Sequence, residues 1–505
     1  MSTDAVSSAK RESASAKSPI RVRGPRLGRR LWAWSTYGTK LLPHWAWLVP
    51  LLAVIVGVYT AESSFGRPSR NWPIFTDDYD KLADAFRSGH LYLDRAVNPE
   101  LLQKDNPYDP KYENLWFGDS SLYKGRYYIY WGPLPALLQA IVKSALNIRY
   151  VLGDQYLVYA FWAVGTCATV RALDRLTRRL FGPLPKPLFW VCALAFAFMN
   201  PVIHLLTNAG VYQAAISGGQ CFLLVGLGLA LDVVHYARNR ERQRVRMLAA
   251  GAAFAAAFGC RLSLAPISCL LLGITALYVG PLGQPKGSRR GTLVNAIRSA
   301  IWMGIPIVAG AALLALYNKL RFDDWFETGI KLQLSFLPYR FSVTYFPANI
   351  YNYLLQHFSV SSTFPYVRDV ANLRGSNLPW FIAVPPGYFT GECLTGMLRA
   401  VPLVWLAPVA VLMLLGVGTR RLWARDSGRA RLYAHAVLCM LTMGTLSAIP
   451  VFGLYVPSMR YLGDFTPGQA LLGLMGGLGL YARVRTHPGK RRAVGALVVT
   501  LCVAT

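Results

Sequence analysis

The chain has 505 residues, of which 54% are hydrophobic and only 15% charged, and its formal net charge is +29. A soluble domain carries roughly 25% charged residues, and a shortfall of this size does not fit inside one buried core. A soluble enzyme and a disordered chain are both excluded. Mean hydropathy is +0.32, and apolar runs recur along the whole length. A bilayer-crossing helix needs about 20 apolar residues, so the pattern predicts an all-α polytopic membrane protein. A transmembrane barrel would alternate apolar and polar residues with a short period, which these runs do not.

The positive charge is not spread as a nucleic-acid partner would require. It lies in short links between apolar runs, namely residues 1–44, 171–186, 237–246, 281–298, 418–431 and 483–492. These hold 33 of the 53 Lys and Arg residues but only five acids: Asp4, Glu12, Asp174, Glu241 and Asp426. Basic links mark the cytoplasmic side of a membrane, so these segments are expected there, with the N-terminus cytoplasmic and the protein in the plasma (inner) membrane.

In chain order, residues 1–44 are Ser-, Ala- and Arg-rich without an apolar period, and predict a disordered basic tail that touches anionic lipid. A transmembrane domain is expected over 45–505. Its candidate spans are 45–63, 152–170, 187–207, 212–236, 247–260, 262–280, 299–318, 400–418, 432–453, 466–482 and 493–505, about eleven in all. The pair 247–260 and 262–280 reads as a tight helical hairpin turning at Arg261. The last run has 13 residues, so either its helix is short or the chain continues. Residues 132–148 look like a further span, but counting them would place the basic links on both sides of the membrane. Lys143, two prolines and a period near 3.6 suit a helix lying in the outer interface instead. Two outer loops remain, 64–151 and 319–399. The first holds ten of the chain's 24 acids.

That first loop carries the clearest chemistry. Phe75-Thr76-Asp77-Asp78-Tyr79-Asp80 precedes a helical pattern. Adjacent carboxylates raise each other's pKa unless a cation compensates, and they serve as a base, a metal ligand or a binder of sugar hydroxyls. The alternative is a helix N-terminus, where Asp balances the macrodipole. Further along, Asp119-Ser120-Ser121-Leu122-Tyr123-Lys124-Gly125-Arg126-Tyr127-Tyr128 suits sugar stacking and phosphate pairing, or an aromatic belt with snorkelling cations. Basic residues expected at the outer face are Arg261, Lys319, Arg321, Lys331, Arg340 and Arg460. Arg261 interrupts two apolar runs, where charge is costly and commonly functional. Arg460 is expected to pair with Asp464 at i,i+4. His357 and His435 are isolated and read as structural. Seven of the eight cysteines sit in apolar runs, and Cys393 lies in a loop. No P-loop, GxSxG or HExxH occurs, which argues against ATP use and against serine or zinc hydrolases.

With Asp77-Asp78 before YDKLADAFRSGHLYLD, and WGPLPALLQAIVKSAL before the second span, the order of parts resembles the GT-C superfamily of integral-membrane glycosyltransferases, including protein O-mannosyltransferases and aminoarabinose transferases. NPYDP, SLYKGRYYIYWGPLPALL, LYNKLRFDDWFETG and RYLGDFTP resemble segments of uncharacterised bacterial relatives. The resemblance implies a GT-C-like fold and inverting transfer of a sugar from a polyprenyl-phosphate donor to a glycan, lipid or protein acceptor at the extracytoplasmic face. Asp77 matches the first acid of the family pair, the favoured base, and Asp78 the second, where many relatives have Glu. Arg261 matches a position that often carries a basic residue, for the donor phosphate. Lys124, Arg126, Tyr128 and Arg460 are the remaining candidate substrate-binding residues. No metal is expected with certainty, since divalent-metal dependence varies in the superfamily. The reading from another class is a membrane transporter or lipid flippase, which would place ionisable groups at mid-membrane.

Overall fold

The computed structural model describes residues 46–69, 72–235, 240–282, 288–335, 341–360, 362–363, 367–371, 378–389, 393–416 and 427–505. The basic tail 1–44 and Arg340 lie outside them. The chain divides at Pro50. On the first side, Ala46–Leu48 forms one 3-10 turn and Val49 opens helix α1 (Val49–Ser63). Residues 51–505 form the rest.

Their helices of eight residues or more are α2 (Asp78–Arg87), α3 (Leu134–Ala145), α4 (Gln155–Phe181), α5 (Lys186–Phe198), α6 (Asn200–Thr207), α7 (Val211–His235), α8 (Arg240–Cys260), α9 (Ala265–Val279), α10 (Arg289–Phe322), α11 (Phe346–Leu355), α12 (Ala407–Leu414), α13 (Ser427–Leu446), α14 (Leu462–Arg483) and α15 (Pro488–Val503). Strands are minor. β1 (Ser121–Tyr123) and β2 (Arg126–Tyr128) form a hairpin, and β3 (Phe358–Val360), β4 (Val367–Ala371) and β5 (Cys393–Leu394) form a small antiparallel sheet.

Among the described residues, six helices are long and apolar enough to cross a membrane, or seven if the bent pair α5 and α6 is one span. They coincide with the expected runs at 45–63, 152–170, 187–207, 212–236, 262–280, 299–318 and 432–453. The expected runs at 247–260, 466–482 and 493–505, and the described part of 400–418, are also largely helical but fall short of that length or hydropathy. For α14 the reason is its many glycines, and for α8 it is the arginines and glutamine of its first turns. Both are rich in Gly or Ala and pack closely against other helices, as interfaces of small residues do in lipid. Nearly all of α14 from Leu462 to Gly479 is buried. Helix α10 is the opposite case. Leu293, Ile297, Ile301, Ile305, Val308 and Leu313 are all exposed, an apolar stripe with no protein against it. It also runs on to Phe322, so the second outer segment begins later than residue 319.

Residues 132–148 form the separate 12-residue helix α3, shorter than a span. Its Lys143 is explained by packing. The ammonium is fully buried and pairs with Asp80 and Asp84 of α2 at 2.8 Å each. Gln139, one turn earlier, donates to Asp80 and to the Leu152 carbonyl. Four polar side chains therefore clamp α2 onto α3, and the clamp fixes where the Asp77-Asp78 turn sits.

Candidate active site

Several helices end or break at one place. Helix α8 stops at Cys260, Arg261 is extended (φ −147°, ψ 103°), and the chain re-enters a helix through Leu262–Leu264. This is the break expected at Arg261. Helix α7 begins at Val211, α10 ends at Phe322, and α14 begins at Leu462 behind the turn Met459–Tyr461. The segment after β2 closes onto them. A Cβ on Gly132 would overlap the carbonyl oxygen of Gly259, so only glycine lets Tyr130 and Trp131 approach the end of α8. Between these parts lies a cavity of about 810 Å³.

Part of its lining is cationic. Arg261, Arg321 and Arg460 all line it. Arg261 donates to the buried carboxylate of Asp464 at 2.7 Å, so the partner of Asp464 is Arg261 from another helix and not Arg460 by helical spacing. Arg321 donates to the Ile129 carbonyl and to Asn318 Oδ1, and its guanidinium lies 3.9 Å from the Tyr317 ring centroid. Nε of both Arg261 and Arg321 is buried without a hydrogen-bond partner among the described residues, as is Asp464 Oδ1. Arg460 stacks over Tyr212 at 4.4 Å.

Next to it the lining is acidic and aromatic. Asp119 holds a left-handed backbone (φ 56°), a conformation uncommon outside glycine. Its Oδ1 accepts from Tyr212 (3.2 Å) and Gln333 (3.3 Å), Gln333 also donates to Tyr130 (3.0 Å), and the Tyr130 and Tyr212 hydroxyls meet at 2.6 Å. Burial raises the Tyr130 phenol well above its ordinary pKa, so it stays neutral and able to donate. Four side chains from four chain segments thus share one hydrogen-bonded face of the cavity.

The acid pair lies beside this face. Asp77 is the N-cap residue of α2 and pairs with Lys81 at 2.5 Å, so the helix-start reading of this turn holds for its backbone. Asp78 is the first helical residue. Burial raises its carboxyl above the usual range, Lys81 opposes the shift, and Asp77 and then Asp119 add to it. Asp78 is therefore within electrostatic reach of the cavity wall, although neither acid of the pair lines the cavity itself. Buried Asp154 accepts from Thr76 Oγ1 (2.5 Å) and the Tyr79 N–H (3.2 Å), which pins the turn from behind.

The structure brings Arg261 and Arg460 together and leaves three expected residues elsewhere. Lys124 is exposed, at the tip of the β1–β2 hairpin, with φ 46° followed by Gly125 at φ 70°, and it pairs with Asp323 at 2.8 Å. Arg126 lies over the Tyr92 ring at 4.2 Å. Tyr128 is buried edge-on against Phe322. Among the described residues no group of three or more His, Cys, Asp or Glu side chains is placed to hold a metal ion. Cys393 is exposed, and His435 is buried beside Thr275.

No family model matches the chain, and no curated protein matches it. Among solved structures it is similar to the oligosaccharyltransferase of Archaeoglobus fulgidus. To the apo form it is 14% identical with a TM-score of 0.45, over 90% of this chain and 54% of that one. To the form with an inhibitory peptide and a dolichol-phosphate it is 14% identical with a TM-score of 0.41, over 91% and 54%. To the form tethered to an acceptor peptide it is 13% identical with a TM-score of 0.43, over 93% and 54%. The chain spans about half the length of these proteins.

Proposed function

We propose that the chain is an inverting membrane glycosyltransferase that moves a sugar from a polyprenyl-phosphate donor to an acceptor hydroxyl at the extracytoplasmic face. The observation that carries this reading is the cavity. It is large enough for a sugar phosphate, and its lining combines three arginines with Asp119 and aromatic side chains. Arg261 and Arg460 would hold the donor phosphate, with Arg321 as a third cation. Negative charge grows on that phosphate as its bond to the anomeric carbon breaks, and fixed cations act most strongly where charge develops. The acceptor hydroxyl would lose its proton to Asp78 as its oxygen attacks the anomeric carbon, and the leaving group would be the polyprenyl phosphate. Asp78 suits the base role better than Asp77, because a raised pKa brings a carboxylate closer to the operating pH and Asp77 is engaged by Lys81. Asp119 and Tyr212 would orient hydroxyl groups, and Trp131 offers a ring face for a sugar.

The transporter reading is not favoured. The ionisable groups of the cavity sit at helix ends and breaks, namely Arg261 after α8, Arg321 at the end of α10 and Asp464 in the first turn of α14. Helix α3, apolar and clamped to α2, would lie along the outer interface beside the donor lipid. Transfer from a radiolabelled lipid-linked sugar to acceptor in proteoliposomes tests the proposal. Wild type should transfer the label, and correctly inserted Asp78→Asn should be slower by roughly 10²–10⁴-fold, the usual worth of general-base catalysis. Equal rates would remove Asp78 from the chemistry.

A further inference from the structure

We infer that the loop 378–389 is a lip of the cavity that inserts into the bilayer the helices cross, with Trp380 and Phe381 seated at the boundary between headgroups and acyl chains. Trp380 is 96% exposed and Phe381 68%, with their rings in edge contact at 5.7 Å. No Asp, Glu, Lys or Arg occurs between Arg374 and Glu392. An exposed apolar surface of this kind marks a protein or membrane contact, and Trp concentrates at membrane interfaces. Phe326 shows the contrast. It is 89% exposed, but Asp323, Asp324 and Glu327 surround it in sequence, and such a setting belongs in water.

The exposure of the tip is held by a polar foot. Tyr388 donates its hydroxyl to Asn349 Oδ1 (2.5 Å) and accepts from Asn352 (2.9 Å). Tyr345 donates to the Pro386 carbonyl, and the Phe389 N–H donates to the Tyr455 carbonyl at 2.9 Å. Phe389 itself lines the cavity. A foot with its hydrogen bonds made and a charge-free aromatic tip fit lipid better than a protein partner, whose rim would call for polar or charged groups. The lip would set one edge of the cavity at the bilayer surface, where an amphiphilic molecule could enter sideways. This inference does not rest on sugar transfer and stands if no sugar is moved.

The test places an environment-sensitive NBD label at Trp380→Cys, in a background carrying Cys269→Ser and Cys393→Ser, with the full chain in lipid nanodiscs. A second probe at Phe381→Cys covers failure of the first variant to fold. Lys111→Cys, in the charged first loop, is the aqueous control. Emission at 380 or 381 should shift to shorter wavelength, lose intensity in brominated phosphatidylcholine and resist iodide, while the control does none of these. Emission and iodide quenching equal to the control would overturn the inference. So would a label shielded from both quenchers, which would mean a protein cover.

Discussion

Asp78 and Arg261 show how one side chain sets what the cavity can do. For Asp78 the sign of the pH effect follows from its raised pKa. A base must be ionised, so transfer at low acceptor concentration should rise with pH and level off above the Asp78 pKa. That midpoint should lie above the ordinary carboxylate range, and Asp78→Asn should erase this limb of the profile. A limb that survives the substitution would assign it to another group. Arg261 neutralises Asp464, which is buried apart from this pair. Breaking a buried pair from one side costs about 3–5 kcal/mol, whereas removing both partners can be neutral. Arg261→Met should therefore lower the melting temperature in detergent, and Arg261→Met with Asp464→Leu should restore much of it. Transfer should stay low in both variants, because the cation is gone. Restored activity in the double variant would deny Arg261 a role in binding phosphate. These two residues were legible in the sequence for one reason: each stands out chemically from its neighbours. Asp119 did not stand out. Its hydrogen bond to Gln333 joins residues 214 apart, and no local pattern announces that meeting. For the same reason Asp464 finds its partner across helices and not at i,i+4.

At the scale of elements, the acid turn depends on the clamp between α2 and α3. Lys143 has two carboxylates within 2.8 Å and is itself out of solvent. Lys143→Met would leave Asp80 buried without its cation, at a cost of about 3–5 kcal/mol. Limited proteolysis should then cut first within residues 64–151, while the apolar helices stay intact. Unchanged cleavage there would show that α2 is held by its other contacts. The sequence made Lys143 look like a misfit in an apolar run, and charge parity, with the two prolines and the helical period, argued that this run is not a span. The partners on α2 supply the reason for the charge. Helix starts, breaks and the apolar runs were readable because they are local. Packing was not, since the small residues of α8 and α14 permit close contact with helices distant in sequence. The β1–β2 hairpin was also missed. Lys124-Gly125 is a two-residue turn with both residues at positive φ, the geometry of a type I′ hairpin, and it carries Lys124 away from the cavity.

For the whole molecule, the account requires that the cavity open on the face opposite the basic links. The charge pattern of the sequence argues for this, and the helix ends that gather around Arg261 give the site one end of the bundle to occupy. Cys393 is an internal reporter of that arrangement, being exposed and within the segment expected outside the membrane from the charge pattern. The most direct measurement is labelling of intact cells with a membrane-impermeant maleimide. The account predicts that Cys393 is labelled before the membrane is breached and that Cys393→Ser abolishes that signal. Labelling of Cys393 only after permeabilisation would put the cavity on the cytoplasmic side and contradict the account.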